Sequence, residues 1–559
     1  MQSADSPACA APVVEVDKKE RREEEDGRKQ AEKTKTVLGL TQIEAVILSA
    51  HTIVRFFLQS SDFAVPVLLA TLDPSSLLAP ALFGLCTRAA KFLLSPSLGA
   101  WMDRRTRKQG LRVGLLMQVV GSVTACLSFL TLALFLPDTS ETGAGQEGEG
   151  GVGGSGMLFS TPTTAMASVF LLIGGSIDAL GNVVITVAIE CDWVTLLVPK
   201  PRLPTVNAWF QRMDLAMEIA GPAAVGAAIA VATTRTAIAG VIVAVYVCTV
   251  VSLVFQYAVM SRLLVKFPSL MKRKVDEKEK SKNPLHGFVK GWTILLHHKG
   301  GVWIVVGAMV MIWITVLSPH NVLLTAYLTE QGMEAWSLAI FRGVGAGFGV
   351  ASTIMAPLLI KKMQPDRSSL LFLWSESCIL LLSIPCFLIA TSPFMLEKMG
   401  IDETINATTA FAFPPQAPLA TAMALIFLLF LILARFGVYG FSVSQRVILQ
   451  ELTSEATRLQ VFGAEKSLTS LASLLVFLAG VILNDTTLFT PLIYVSTGAV
   501  FVGAILISVW RLRYGAYYAS LTAGAHDEDK ELKGVEEEDE AEKDGEREGD
   551  GEAGKEASV

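Results

Sequence analysis

Residues 99–108 read Gly-Ala-Trp-Met-Asp-Arg-Arg-Thr-Arg-Lys. An apolar stretch lies on each side, 76–101 before it and 111–136 after it, and either exceeds the ~20 residues of helix that cross a bilayer. A short, strongly basic loop held between two spans marks the face of a membrane protein that stays in the cytosol. Moving outward, further stretches of spanning length run near 44–71, 163–189, 206–232, 236–261, 302–327, 335–360, 369–391, 418–444, 460–483 and 488–511. Twelve spans are therefore expected, and an all-α membrane protein. Composition agrees: of 559 residues 52% are hydrophobic and only 18% charged, against about a quarter charged in an ordinary soluble chain.

Lys and Arg alternate along the chain as the topology requires. The loop after the second span holds Arg104, Arg105, Arg107, Lys108 and Arg112, and the one after the sixth holds eight lysines and arginines from Lys266 to Lys290. Lys361, Lys362 and Arg367 follow the eighth span, and Arg511 and Arg513 close the last. The loop between spans three and four, 137–156, has no basic residue at all. Both termini are expected in the cytosol. The domain reading is a charged N-terminal segment 1–43, a six-helix bundle 44–261, a cytosolic linker 262–301, a second six-helix bundle 302–511 and an acidic tail 512–559. In residues 525–559 sixteen acids face five bases, so that stretch is expected to be disordered. The N-terminus has no hydrophobic signal core, and its acids argue against a transit peptide. Asn406 opens an N-x-T sequon in a loop expected to face outward.

Seven cysteines form no CxxC pair and mostly sit in apolar stretches, as small buried hydrophobes do. No basic, aromatic-interleaved patch supports nucleic-acid binding. No nucleophile, base and orienting group can be assembled from the embedded residues, so an enzyme is not expected, nor a cofactor. The bilayer is the one partner the composition demands; a monomer is the expectation for the assembly.

Ionisable groups inside spans are costly and face a cavity or a partner. The first span carries His51, Arg55 and Asp62; at ~100° per residue all three fall near one face. That stripe implies either a water-filled route or an inter-helix salt bridge. The seventh span contains Ser318-Pro319-His320-Asn321. Pro319 lacks an N–H and clashes with the preceding turn, so the helix should break there, and His320 and Asn321 add coordinating groups beside the freed carbonyls. Imidazole and carboxylate together suit first-row divalent metals. Asp62 and His320 are thus candidate metal ligands, one from each half, with His51 and Asn321 as further substrate contacts. Asp178, Glu190, Arg212, Asp214, Glu218, Arg342, Glu376 and Arg435 are also embedded, each more readily structural or gating than substrate-binding.

The 99–108 motif resembles the G-x-x-x-D-R-x-x-R-[RK] signature of the major facilitator superfamily, in which Asp103 and Arg104 would latch the cytosolic side; the bland alternative is an ordinary positive-inside loop. Longer likenesses point to one branch of it. Asp192-Trp193-Val194 and Asn207-Ala208-Trp-Phe-Gln-Arg212-Met-Asp214 look like the D-W-[IV] and N-A-x-x-x-R-x-D of ferroportins. Gly291-Trp292, Thr315-Val316-Leu317, Ala434-Arg435-Phe-Gly437 through Leu449-Gln450-Glu451, and His51 with Asp62-Phe-Ala-Val65 fall in the same order as in that family. The resemblance implies two six-helix halves, plasma-membrane residence (an organelle membrane being the alternative), and gating roles for Asp103, Arg104, Asp192, Arg212, Asp214 and Arg435. It also implies two metal sites, an Asp and a His four apart on the first span, and a Cys and a His on spans seven and eleven. Here those positions read Leu58 and Asp62, and Asn321 and Val476, so the ligand set is rearranged, with His320 beside it.

The leading expectation is an exporter of a divalent metal, Fe(II) foremost, by alternating access, with proton counter-movement natural because protonation of His320 would compete with metal. An exporter of an organic cation or a metal chelate is the alternative, since the family ligands are missing. A transporter-like sensor or scaffold signalling through the acidic tail is the third.

Overall fold

The computed structural model describes residues 40–72, 78–135, 161–232, 234–267, 270, 284–318, 321–391, 411, 418–482 and 489–556. The helices, in chain order, are α1 (Gln42–Leu72), α2 (Leu78–Asp103), α3 (Arg107–Phe135), α4 (Pro162–Leu197), α5 (Leu203–Val231), α6 (Arg235–Lys266), α7 (Pro284–His297), α8 (Val302–Trp313), α9 (Val322–Glu330), α10 (Ala335–Met363), α11 (Pro365–Thr391), α12 (Pro418–Leu452), α13 (Arg458–Ile482) and α14 (Phe489–Glu556). Asn406 and the 137–156 loop lie outside the described residues, as do Pro319 and His320.

Helix is what a bilayer demands, because only intra-segment hydrogen bonds can satisfy a backbone with no water around it. Ten of the described helices are long and apolar enough to cross. Helix α2, with Arg88 and Lys91 in its middle, is not among them, yet it packs between α4 and α13 like its neighbours. Counting the bent pair α7–α8 as one span brings the number to eleven, and α2 would make the twelfth. The seventh span is interrupted, as expected: α8 stops at Trp313 and α9 resumes at Val322.

Two groups of helices share the work of burial. In the first, α1 packs on α5 and α6, and α3 on α4 and α6; in the second, α12 packs on α10 and α11, and α14 on α8 and α11. They meet along α2–α13 and α5–α10, with α12 also touching α5. Helix α7, inside the expected linker, rests on both α2 and α13. It then turns by 106° into α8. Gly301 makes that turn at φ +63, and a Cβ there would lie 2.4 Å from the Tyr514 ring, so glycine is required twice over.

Helix α4 is not uniform. Thr161 caps it, accepting from the Thr164 N–H at 3.3 Å with Pro162 at the first helical position. Near its far end, Val187–Trp193 winds as a π turn before a last α turn, Val194–Leu197. Such turns concentrate at functional sites, and this one carries Glu190 and Asp192, both buried.

The tail departs from expectation. Instead of a disordered segment from 512, α14 runs for 68 residues to Glu556. Its membrane-apt part ends at Thr522; beyond it Glu is the commonest residue, with Ala and Lys set among the poorer helix formers Gly and Asp. Glu, Ala and Lys favour helix, and opposite charges at four-residue spacing, Asp529 with Lys533 and Asp539 with Lys543, add support. High charge blocks a core without blocking a helix.

Candidate functional site

Between the two groups of helices lies a cavity of about 500 Å³. Its walls come from α1, α2, α4, α5, α8, the break, α9, α11, α12 and α13, and include Arg55, Glu190, Asp214, Asn321, Glu376, Arg435, Arg446 and Lys466. Charged side chains at this density in a bilayer-spanning core mark a route for a polar solute.

A cluster of titratable groups joins three helices. His51 on α1, 3% exposed, sets Nε2 3.0 Å from Asp214 Oδ1 on α5 and 3.7 Å from Glu190 Oε1 on α4. Its ring stands edge-on to Phe210, centroids 4.9 Å apart, which fixes the imidazole plane. Arg55, one turn along α1, donates from Nε and Nη2 to the two oxygens of Asp214 at 2.8 and 3.2 Å. From the other half, Arg446 on α12 donates to Glu190 Oε2. Donor atoms of His51, Glu190 and Asp214 lie within 4.8 Å of one another.

Beyond this cluster, toward the basic loops, the halves are bonded shut. Asp103, 1% exposed, accepts from the Gln460 N–H at 3.0 Å. Arg107 donates to buried Asp192 at 2.8 Å and reaches across to Glu455. Asn207 donates to Gln450 at 2.7 Å, Gln450 donates to the Glu190 carbonyl at 3.0 Å, and Arg458 donates to Thr195. Gly99 permits the approach, since a Cβ there would sit 2.3 Å from the Leu459 carbonyl oxygen. Further along the seam Arg212 donates to the Thr353 carbonyl at 2.8 Å. Of the expected gating residues, Asp103 and Arg212 bond across the two groups of helices, and Asp192 pairs with Arg107 of its own group. Arg104 turns the chain, its N–H on the Trp101 carbonyl at 3.2 Å.

Other expected residues fall elsewhere. Asp62 is exposed on α1 and is not one of the cavity-lining residues; eleven residues past His51, it lies ~16 Å further along the axis. Asn321 does line the cavity, but its carboxamide is occupied by the break: Oδ1 accepts from the Leu323 N–H at 2.8 Å and Nδ2 donates to the Thr315 carbonyl at 3.1 Å. It is the N-cap of α9. Arg435 donates to the Tyr439 hydroxyl at 2.6 Å, within its own helix rather than across the seam. Among the described residues, then, Asp62 is not brought to the cluster that holds His51, and His320 lies outside them.

Arg446 is the residue the sequence conceals most. It falls two positions past the expected span end at 444, among residues that read as loop. Glu190 was visible as an embedded acid, but its partners sit on other helices and no spacing announces them.

A sequence profile described as Ferroportin1 (FPN1) matches residues 41–500. The Ferreportin of Bdellovibrio bacteriovorus is 28% identical over 497 residues, which is 88% of this chain and 98% of that protein. A crystal structure of a bacterial homologue of iron transporter ferroportin in the outward-facing state superposes with a TM-score of 0.67 at 25% identity, over 84% of this chain and 99% of the other. The proton:xylose symporter XylE of the major facilitator superfamily shares the fold at a TM-score of 0.54 and 14% identity, over 83% and 95% of the two chains. The profile spans both halves, the latch and the charged cluster, and on that ground the chain belongs to the ferroportin family of membrane transporters.

Proposed function

We propose that the protein exports a divalent metal ion, Fe(II) foremost, from the cytosol across the plasma membrane by alternating access. The basic loops mark the cytosolic end, so the bonded latch closes the cavity from the cytosol and the metal leaves on the opposite side. The observation that carries the reading is the buried imidazole–carboxylate cluster, two of whose members, Glu190 and Asp214, line a polar cavity between two helical halves. Hard and borderline donors of this kind suit Fe(II), Mn(II) and Co(II). The relatives' names point the same way, being those of ferroportins and an iron transporter homologue.

In this reading Asp62 and His320 receive the ion nearer the exit. The expected result is that Asp62→Ala and His320→Ala each lower Fe(II) flux in proteoliposomes by about tenfold or more, the scale seen when a metal site loses a supporting group. Unchanged flux in both would remove them from the route. Proton counter-movement is part of the proposal: each metal exported should acidify the compartment it leaves, read with a trapped pH dye.

The chelate reading predicts that free divalent ions fail to compete. Fe(II) flux should instead be inhibited by Mn(II) and Co(II) and spared by an organic cation. Inhibition by the organic cation alone would overturn the metal reading.

A further inference from the structure

We propose that His51, Glu190 and Asp214 form a divalent-cation site near the latch, and that the Arg446 guanidinium is the alternative occupant of that site. The proposal rests on the transport reading and deepens it, by naming what replaces the metal when the latch is shut.

The charges make the case. With a neutral imidazole, which is what a metal ligand must be, Glu190, Asp214 and Arg55 leave the first half with one uncompensated negative charge in a buried place. Isolated buried charges are costly, so something must neutralise it. In this structure Arg446 does so from the second half, by its bond to Glu190 Oε2. A divalent ion added beside Arg446 would leave two surplus positive charges. Metal and Arg446 therefore exclude one another.

The geometry shows where the ion goes. Glu190 Oε1 has no hydrogen-bond partner although the residue is 1% exposed. It faces His51 Nε2 at 3.7 Å, and that nitrogen lies 3.0 Å from Asp214 Oδ1. Metal–ligand bonds of ~2.0–2.2 Å set donor atoms roughly 3–4 Å apart, so the trio needs only a small contraction to close on an ion. The groups facing it from the surrounding elements are Arg55 on α1, Arg446 on α12, and Glu465 and Lys466 on α13, all lining the same cavity.

Coupling follows. Arg446 reaches Glu190 only while the halves are together, and Gln450 on the same helix bonds the Glu190 carbonyl and Asn207. An ion on the trio breaks the cross-half ion pair and so loosens the latch. Return of Arg446 as the halves close ejects the ion toward the cavity. One arginine thereby links occupancy to closure, as a differential interaction must if a ligand is to shift the conformation.

The test is equilibrium Co(II) binding to the full-length protein in lipid nanodiscs. Arg446→Gln should bind Co(II) more tightly than wild type by about fivefold or more, the lower range of measured site-to-site couplings. Adding Glu190→Gln should erase that gain. Equal or weaker binding by Arg446→Gln, or a gain that survives Glu190→Gln, would overturn the proposal. Wild-type protein supplies an independent readout. Nitroxides at Arg105 and Ser454, exposed positions flanking the latch, should move apart at Co(II) concentrations that fill the site, and an unchanged distance there would equally overturn it. Absence of metal flux in the wild type would count against the transport reading alone, since these binding results do not depend on flux.

Discussion

Asp214→Asn is expected to abolish metal flux and to destabilise the protein by about 3–5 kcal/mol, the cost typical of removing one partner from a buried ion pair. Arg55 and Asp214 are each 18% exposed and bonded through two nitrogens and two oxygens. Asparagine fits the space but presents an amide N–H₂ to the guanidinium, so Arg55 loses its bonded partner and the cluster loses one negative charge. His51 loses its 3.0 Å partner in the same step. Thermal unfolding in detergent reads the stability term, and the double variant Asp214→Asn/Arg55→Gln separates it from function. Removing both charges should recover most of the stability, because a double-mutant cycle isolates the pair's coupling, while flux stays lost. If the single variant melts like wild type, the pair does not hold α1 to α5 as argued. If the double variant transports, the cluster is not on the route.

Much of this was legible before any coordinates. The bilayer imposes ~20 apolar residues per span, and the alternation of basic loops survives any error in the boundaries. The interruption of the seventh span was readable too, since a proline's missing donor acts locally. What escaped is tertiary. The helical wheel put His51 and Asp62 on one face but discards height, and the ~16 Å between them along α1 assigns them to different depths. Asn321 lines the cavity as a substrate contact should, but its side chain also caps α9, a second role that follows from N-cap chemistry. Arg446 was lost because the apolar run ends before α12 does: the helix continues to Leu452, its last turns buried by the latch rather than by lipid. The acidic tail erred in the other direction, since charge density forbids a core while Glu and Lys still favour helix.

Gly99→Leu carries the second large effect. A Cβ at position 99 would lie 2.3 Å from the Leu459 carbonyl oxygen, 3.0 Å from its carbon and 3.2 Å from Gln460 Cα. These are backbone atoms across the seam, so no side chain can rotate to relieve the clash. The latched state is then inaccessible, while the unlatched state, in which α2 and α13 separate at this end, is unaffected. Moving a two-state equilibrium from 99:1 to 1:99 takes about 5.5 kcal/mol, and an overlap of this depth with fixed backbone supplies it. Ala208, fully buried in the latched protein, reports the change when replaced by cysteine. A water-soluble maleimide should label that cysteine rapidly in the Gly99→Leu background and slowly in the wild-type one. Equal rates would mean that the seam at Gly99 is not what shuts this end.

Alternating access requires one cavity opened in turn at its two ends, with the latch around Asp103 parting once in every cycle. Fe(II) flux into sealed proteoliposomes tests this most directly when that end is pinned. Cysteines at positions 105 and 454, with the native cysteines replaced by serine, can be bridged by a flexible, reducible bis-maleimide. Bridging should stop the flux and reduction of the linker should restore it. Flux that continues at its full rate through the bridged protein would contradict the account.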